Sequence, residues 1–221
     1  MSTTLSARIA ALREKAEAAH IASMNLGTTL GIFHGINRSA IRPELRGPAV
    51  PAIDAVQHDL LQLSAIRICA LCDEPTKVRP DDASLPIILR ELNECDVRQH
   101  LIAENQQWYD KMRHRIPGLR TAAQEFRALH VSGAALRKHR TSLGKLKHFR
   151  NKQLGHVTVG FDRSRATLLK ELWAVADQAL RVARHLRRVS HKQDWDYLAN
   201  SKCTRADGRA LIRELAQRSA G

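Results

Sequence analysis

Residues 4–24 have the sequence TLSARIAALREKAEAAHIASM, in which apolar residues recur at the spacing of one helical face. The residues of this apolar stripe are Leu5, Ile9, Leu12, Ala16 and Ala19. Comparable spacing continues along most of the chain, and only residues 156–161 (HVTVGF) have a pattern compatible with an extended segment. Long periodic segments identify the type of element most dependably. The sequence therefore predicts an all-α fold, a helical bundle of long antiparallel helices.

Proline, glycine and capping residues divide the rest of the chain into further predicted helices. Pro51 suits a first helical turn, and Ser84 suits an N-cap. We expect a bend near Cys95–Asp96 and a weak point at Ser132–Gly133. Residues 25–50 are rich in Gly, Asn and Pro and are expected to form a long irregular connection. The predicted helices after the first span residues 51–72, 85–115, 119–154, 163–189 and 204–220.

The chain has 221 residues, of which 43% are hydrophobic, enough to build a core. These patterns predict an N-terminal helix and irregular connection over residues 1–50, a helical bundle over 51–190 and a C-terminal helical tail over 191–221. Four cysteines do not make a disulfide scaffold, and no apolar run indicates a secretory signal or a membrane span. We therefore expect a cytoplasmic protein with no membrane partner.

The net charge of +14 is concentrated in one part of the sequence. Residues 137–192 contain 15 Lys and Arg against three acidic residues, a net charge of +12. A solvated helix face is the ordinary explanation of a charge run, but charges of nearly one sign favour a surface for a polyanion. Charge alone does not distinguish RNA, DNA or membrane. Only nine residues are aromatic, which argues against folds that stack bases on aromatic side chains.

The segment LKHFRNKQLGH, residues 146–156, lies inside this basic region. Gly155 is suited to end a helix, which would let His156 fold back beside Arg150, with Asn151 in the same turn. Arginine supplies a permanent forked charge for a phosphate, and histidine can take a proton from a ribose 2′-OH or give one to a leaving oxygen. The same residues would also suit the capping of a helix C-terminus. The residues alone leave both interpretations open.

Arg150-Asn151 followed by His156 resembles the R-[polar]-x(n)-H signature of HEPN domains, helical modules of prokaryotic toxins, abortive-infection proteins and RNA-processing factors. The segment is most similar to the AbiU-type abortive-infection group, whose pattern resembles R-[DN]-K-x-x-[small]-H. Residues 71–75 (LCDEP) and 83–89 (ASLPIIL) resemble a second segment of that group, "L-x-D-P … s-L-x-x-L-L". The resemblance covers about residues 51–190 and implies a HEPN-like helical bundle.

The resemblance implies a metal-independent endoribonuclease that acts as a homodimer, with a composite site at the dimer interface. On this interpretation Arg150 holds the scissile phosphate, His156 is the general acid or base, and Asn151 orients the substrate or the histidine. Asp73 is expected near Arg150, although a carboxylate at a helix end explains it equally well. His148 and Lys152 are expected to support the site. The residues expected to bind RNA are Lys145, Lys147, Arg137 and Arg140.

Such proteins serve as toxins or phage-defence effectors, so the resemblance also leaves room for an antitoxin protein as a partner. The alternative function is a non-catalytic helical adaptor that binds RNA or a partner protein. No cofactor is expected, since no phosphate-binding loop motif is present. Cys69-x-x-Cys72 has the spacing of zinc ligands, but it lies on an apolar helix face and the other two cysteines are distant. Residues 181–188 (RVARHLRR) would suit a DNA groove but lack a helix-turn-helix partner.

Overall fold

The computed structural model describes residues 4–37, 49–75, 77, 79, 81–116, 120–155 and 164–219. Within these ranges the protein is all-α, as predicted, and the helices form a bundle. The helices are α1 (Leu5–Asn37), α2 (Ala49–Leu71), α3 (Leu85–Glu91), α4 (Cys95–Met112), α5 (Ala122–Lys138), α6 (Arg140–Gly155), α7 (Ser164–His191) and α8 (Tyr197–Ser219). The extended segment expected at residues 156–161 lies outside the described residues.

One apolar core joins most of the helices. Buried side chains of α1, α2, α3, α5, α6 and α7 form a single cluster, to which α4 adds Val97 and Leu101 and α8 adds Tyr197. The helix α7 lies at its centre, since it packs against α1, α2, α5 and α6. Since α1 contributes to the same core as α2 and α7, it is packed into the bundle. The division at residues 50 and 190 stays a prediction.

The irregular connection expected over residues 25–50 is wrong for its first part, because α1 continues to Asn37. Gly27, Gly31 and Gly35 lie four residues apart on one face of α1, where α8 packs against them. A Cβ atom on Gly31 would lie 2.5 Å from the carbonyl oxygen of Ser201. The glycines therefore permit a close helix–helix contact, and the burial of that contact outweighs their poor helix propensity. Residues 38–48 lie outside the described residues.

Two other helix boundaries differ from the sequence prediction. The expected bend near Cys95–Asp96 is a complete break, since α3 ends at Glu91 and α4 begins at Cys95. Arg8 of α1 forms ion pairs with Glu94 and Asp96, and these pairs hold the break between α3 and α4 against α1. The weak point expected at Ser132–Gly133 lies inside α5, and the chain breaks at His139 instead.

The capping predictions also have mixed outcomes. Ser84 occupies the N-cap of α3, but its hydroxyl makes no capping hydrogen bond and lies buried without a partner. At α5 a capping box is present instead: the Thr121 hydroxyl accepts from the Gln124 N–H, and the Gln124 side chain accepts from the Thr121 N–H. The last helix begins at Tyr197, seven residues before the predicted Thr204. Tyr197 is buried, so packing stabilises this start.

We expect Gly208→Ala to destabilise the protein and Gly144→Ala to stabilise it. A Cβ atom on Gly208 would lie 2.5 Å from the Ile32 carbonyl oxygen, so α1 and α8 would have to separate, at a cost of about 1–3 kcal/mol. Gly144 is an exposed helical residue of α6 with no atom within 4 Å of an added Cβ, so alanine there should gain about 0.5–1 kcal/mol. Urea and thermal unfolding would measure both changes. Equal shifts for the two variants would contradict the close α1–α8 contact.

Candidate functional site

The helix α6 carries the motif residues, and its apolar face determines where they point. Leu146 is fully buried in the core, and Leu143 and Phe149 pack against the core from either side along the helix. Lys147 and Arg150 are three residues apart, so they lie on a common face beside this apolar stripe. The burial of Leu146 therefore fixes the orientation of both cations.

Arg150 is half-buried, and its side chain is held by its neighbour in the chain. The Arg150 Nε donates a hydrogen bond to the Asn151 Oδ1 at 3.1 Å. Among the described residues no carboxylate pairs with Arg150, so its two terminal nitrogens stay available. A guanidinium presented in this way suits the forked binding of a phosphate. The structure thus brings together the predicted residues Arg150 and Asn151.

The predicted contact between Asp73 and Arg150 is not made within the described residues. Asp73 lies just beyond the end of α2, and its Oδ1 accepts a hydrogen bond from the Lys147 Nζ at 2.5 Å. Asp73 therefore positions Lys147 and removes part of its charge from the surface. The correction follows from the register of the two helices, which sets the end of α2 opposite Lys147.

The charges of α6 also reach the α2 residue Cys69. Burial raises the pKa of the Cys69 thiol, while the positive charges of Arg150 and Lys147 act in the opposite direction. Cys69 lies on α2 four residues before Asp73, and both Lys147 and Arg150 act on it, so this side of α2 faces the cations of α6.

Of the other predicted residues of α6, Lys145 forms an ion pair and His148 is exposed to solvent. The Lys145 Nζ donates to the Glu171 carboxylate of α7 at 2.7 Å, and the Ser142 hydroxyl binds the same carboxylate. Hydrogen bonds from these two side chains lower the pKa of Glu171. His148 is exposed, and at two residues from Arg150 it points to another side of the helix, so the structure does not bring these two together.

The described part of α6 runs to Gly155, and the helix end expected at this glycine stays a prediction. His156 follows directly in the sequence and lies outside the described residues, as does the side chain of Lys152. Their expected roles beside Arg150 stay predictions.

Arg137 and Arg140, two of the residues expected to bind RNA, line a cavity of about 370 Å³ between α3, α5 and α6. Arg90 of α3 lines the same cavity. The sequence interpretation missed Arg90, because it lies 47 residues before Arg137 in a segment without excess positive charge. No sequence signal connects the two segments, and only the packing of α3 against α5 brings them together.

The basic residues at the end of α7 have a different role. Every Lys and Arg between Arg181 and Lys192 pairs with a carboxylate: Arg181 with Asp177, Arg184 with Asp194, Arg187 with Glu17, Arg188 with Glu125 and Asp194, and Lys192 with Glu104. The positive field expected over residues 137–192 is therefore largely neutralised along this half of α7. Among the described residues 137–155, Arg137, Arg140 and Arg150 have no carboxylate partner.

A buried carboxylate lies at the centre of these pairs. The Glu125 side chain is 1% exposed and accepts hydrogen bonds from the His185 Nδ1 at 2.5 Å and from Arg188 at 3.3 Å. Burial alone raises the pKa of Glu125, but the His185 and Arg188 contacts lower it overall. A buried ion needs such partners, so this group ties α5 to α7. Residues 181–188, considered above for a DNA groove, are thus committed to the fold.

Cys69 and Cys72 are both buried free thiols. Burial raises the pKa of Cys72 to about 12, so the thiolate needed for zinc ligation or redox chemistry is disfavoured. In the described part of the chain, no group of three or more His, Cys, Asp and Glu side chains is placed to hold a metal ion. No described helix is long and apolar enough to cross a membrane.

Comparisons with known proteins add nothing to the description of this site. No family model matches the sequence, and neither the curated proteins nor the solved structures contain a significant match.

We expect Asp194→Asn to lower the free energy of unfolding by about 2 kcal/mol at pH 7. Burial alone raises the pKa of Asp194, but hydrogen bonds from Arg184 and Arg188 lower it to about 2, from its usual 3.8. A lowered carboxyl pKa stabilises the fold above about pH 4, and this contribution is lost as the pH falls towards 2. Urea unfolding of both proteins between pH 7 and 2 should therefore show curves that converge at low pH.

The control is Asp177→Asn, which removes the exposed pair with Arg181. Exposed pairs contribute about 0–1 kcal/mol, so this variant should unfold nearly as the wild type does. A constant difference between Asp194→Asn and wild type down to pH 2 would contradict the assignment of the stability to ionised Asp194.

Proposed function

We propose that the protein is a metal-independent endoribonuclease of the HEPN type, which acts as a homodimer and serves as a toxin or phage-defence effector. The observation that carries the proposal is the arrangement of Arg150: Asn151 holds its Nε, and no described carboxylate neutralises it. This arrangement suits phosphate binding better than it suits a salt bridge of the fold. The resemblance of residues 150–156 to the HEPN signature gives the cation a histidine partner in the sequence.

The surroundings of Arg150 support a polyanionic substrate. Lys147 lies on the same face of α6, and Arg137 and Arg140 lie towards its other end without an ion pair among the described residues. Neutralisation of RNA phosphates by such cations releases counterions, so binding should weaken steeply as salt is added. RNA is accessible in the cytoplasm, which is the location expected from the sequence.

The proposed reaction is an internal transfer on the phosphodiester bond. The ribose 2′-oxygen attacks the adjacent phosphorus as a base removes its proton, and the bond to the 5′-oxygen breaks as an acid protonates that oxygen. The products are a 2′,3′-cyclic phosphate and a 5′-hydroxyl, and no water or metal is consumed. Arg150 stabilises the charge that develops on the phosphate oxygens, and His156 transfers a proton.

A dimer supplies what one site lacks. A single histidine cannot remove and donate a proton in the same step, whereas two copies of His156 in one composite cleft provide a base and an acid. Two copies of Arg150 would also double the positive charge around the scissile phosphate. This is the reason for placing the site at a homodimer interface.

We expect the purified protein to cleave single-stranded RNA in the presence of EDTA, and His156→Ala to reduce the rate by about 10²–10⁴-fold. Arg150→Ala should also abolish most of the cleavage, because the charge on the transition state loses its partner. Labelled RNA resolved on gels would give the rates, and analysis of the ends should show a cyclic phosphate. An RNA with one 2′-deoxyribose at the cleaved position should resist cleavage there.

The matched control is Arg213→Ala, which removes an exposed arginine of α8 that is outside the motif. It should leave cleavage unchanged, and the folding of all variants can be compared by circular dichroism. Expression of the wild type should arrest growth, and the Arg150 and His156 variants should relieve the arrest. Salt-sensitive RNA binding without products, unaffected by His156→Ala, would overturn the nuclease and favour the adaptor. If a partner protein prevents the arrest, it is the antitoxin.

A further inference from the structure

The cavity beside α6 has polar residues at its mouth and an apolar floor. Its volume is about 370 Å³, which is in the range of pockets that bind small organic molecules. Leu89 and Leu136 are buried in its floor, and Pro86 and Leu143 are half-buried beside them. The thiol of Cys72 also lines it, and the raised pKa of this group keeps it neutral. The floor therefore suits a group with little charge.

The mouth of the cavity carries an excess of positive charge. Arg90, Arg137 and Arg140 are exposed and line it together with only one carboxylate, that of Glu74. The side chains of these arginines make no ion pair or hydrogen bond among the described residues, in contrast to those at the end of α7. A ligand that combines an apolar body with a negative group would complement both parts of the cavity.

The position of Arg140 gives a second reason to assign these cations to a ligand. Arg140 is the first residue of α6, and a cation at the N-terminus of a helix is disfavoured by the helix dipole. No acidic residue lies in the first turn of α6 to compensate it. The fold therefore gains nothing from this charge.

We propose that this cavity binds a nucleoside phosphate, specifically one unstacked nucleotide of an RNA strand. The base lies on the apolar floor with one edge towards Glu74 and Asn93, and its phosphate is held by the arginines at the mouth. Unstacked bases are the usual target of sequence-specific RNA recognition, and arginine planes as well as aromatic rings stack on them. This assignment rests on the proposed function, because it makes the cavity a recognition subsite of the same RNA.

The subsite is separate from the proposed cleavage site. Arg140 precedes Arg150 by ten residues, which a helix spans in about 15 Å. The nucleotide in the cavity is therefore away from the scissile phosphate, further along the strand. A strand that follows α6 would contact Arg150 near one end of the helix and the cavity near the other.

The polar lining also predicts a preference among bases. The Glu74 carboxylate can only accept hydrogen bonds, whereas the Asn93 amide can donate and accept. Bases with an exocyclic amino group can donate to Glu74 through it, whereas uracil offers only its ring N3–H, which lies between two carbonyl oxygens that a carboxylate repels. Cytosine, adenine and guanine nucleotides should therefore bind more tightly than uracil nucleotides.

Calorimetric titration with cytidine and uridine 5′-monophosphates tests the proposal on the full-length protein. We expect cytidine monophosphate to bind more tightly than uridine monophosphate, and both more tightly than cytidine or inorganic phosphate alone. Arg137→Gln with Arg140→Gln should weaken nucleotide binding by about tenfold or more, since each removes a contact to the phosphate. Arg213→Gln removes a comparable exposed charge from α8 and should have no effect. Glu74→Gln should bring the two nucleotides to similar affinity.

Two further measurements decide between a free nucleotide and an RNA strand. A short RNA should displace the bound nucleotide, and the double arginine variant should alter the positions at which RNA is cut. If the RNA does not displace the nucleotide, the assignment of the cavity to an RNA strand is wrong and a free nucleotide is the ligand. Nucleotide binding that is unchanged in the double variant, or absent at millimolar nucleotide, would overturn the proposal that this cavity binds a nucleotide. A protein that binds nucleotides in this cavity but cuts no RNA would refute only the nuclease, because these titrations require no cleavage.

Discussion

The pairing of charges along α7 is the constraint on which the other features of the structure depend. This helix packs against α1, α2, α5 and α6, so its flanks cannot all face water. Arg187 and Arg188 are only 8% and 6% exposed, and cations so deeply buried require carboxylate partners. Glu17, Glu125 and Asp194 supply these partners from α1, α5 and the segment before α8. The ion pairs thus connect three separate parts of the chain to the central helix.

The same constraint separates two kinds of basic residue in a sequence that does not distinguish them. The cations of the α7 end are used within the fold, and removal of Arg188 would leave the buried Glu125 carboxylate without its arginine partner. Arg137, Arg140 and Arg150 have no carboxylate partner among the described residues, so their charges are not neutralised within that part of the fold. A charge count over residues 137–192 includes both kinds. It therefore overstates how much of the charge in this region is free to attract a polyanion.

The element types follow from the sequence, because helical periodicity reflects which residues are buried. The predicted irregular connection is wrong at residues 25–37, where the prediction treats glycine as a helix breaker. At Gly31 and Gly35 the absent side chain is what allows α8 to approach, so a tertiary contact reverses the local preference. The repeat of glycine at four-residue spacing was the available signal. It has meaning only once a partner helix is known, and the sequence does not identify α8 as that partner.

The contact between Arg150 and Asn151 was predictable from the sequence, whereas the partners of the neighbouring residues were not. Arg150 and Asn151 are adjacent in sequence, so one helical turn is enough to place them together. The partner of Asp73 depends on the relative register of α2 and α6, and a shift of one turn decides between Lys147 and Arg150. Arg90 depends on how α3 packs on α5, where Gly133 admits Leu89. Such registers are set by packing between distant segments, which single-sequence patterns do not encode.

On the proposed function, the arrangement of α6 lets its two ends have different tasks. Leu146 anchors the middle of the helix in the core, so neither end can shift without disturbing the packing between α2 and α7. Arg140 and Arg150 are thereby held at a fixed separation of about 15 Å along one rigid element. Rigid spacing of two anion contacts favours an extended chain of phosphates over a single small anion, because only the chain can occupy both at once. Once one phosphate of a strand is bound at one end of α6, a second phosphate is held near the other end. The overall affinity for the strand then rises without a stronger contact at either end.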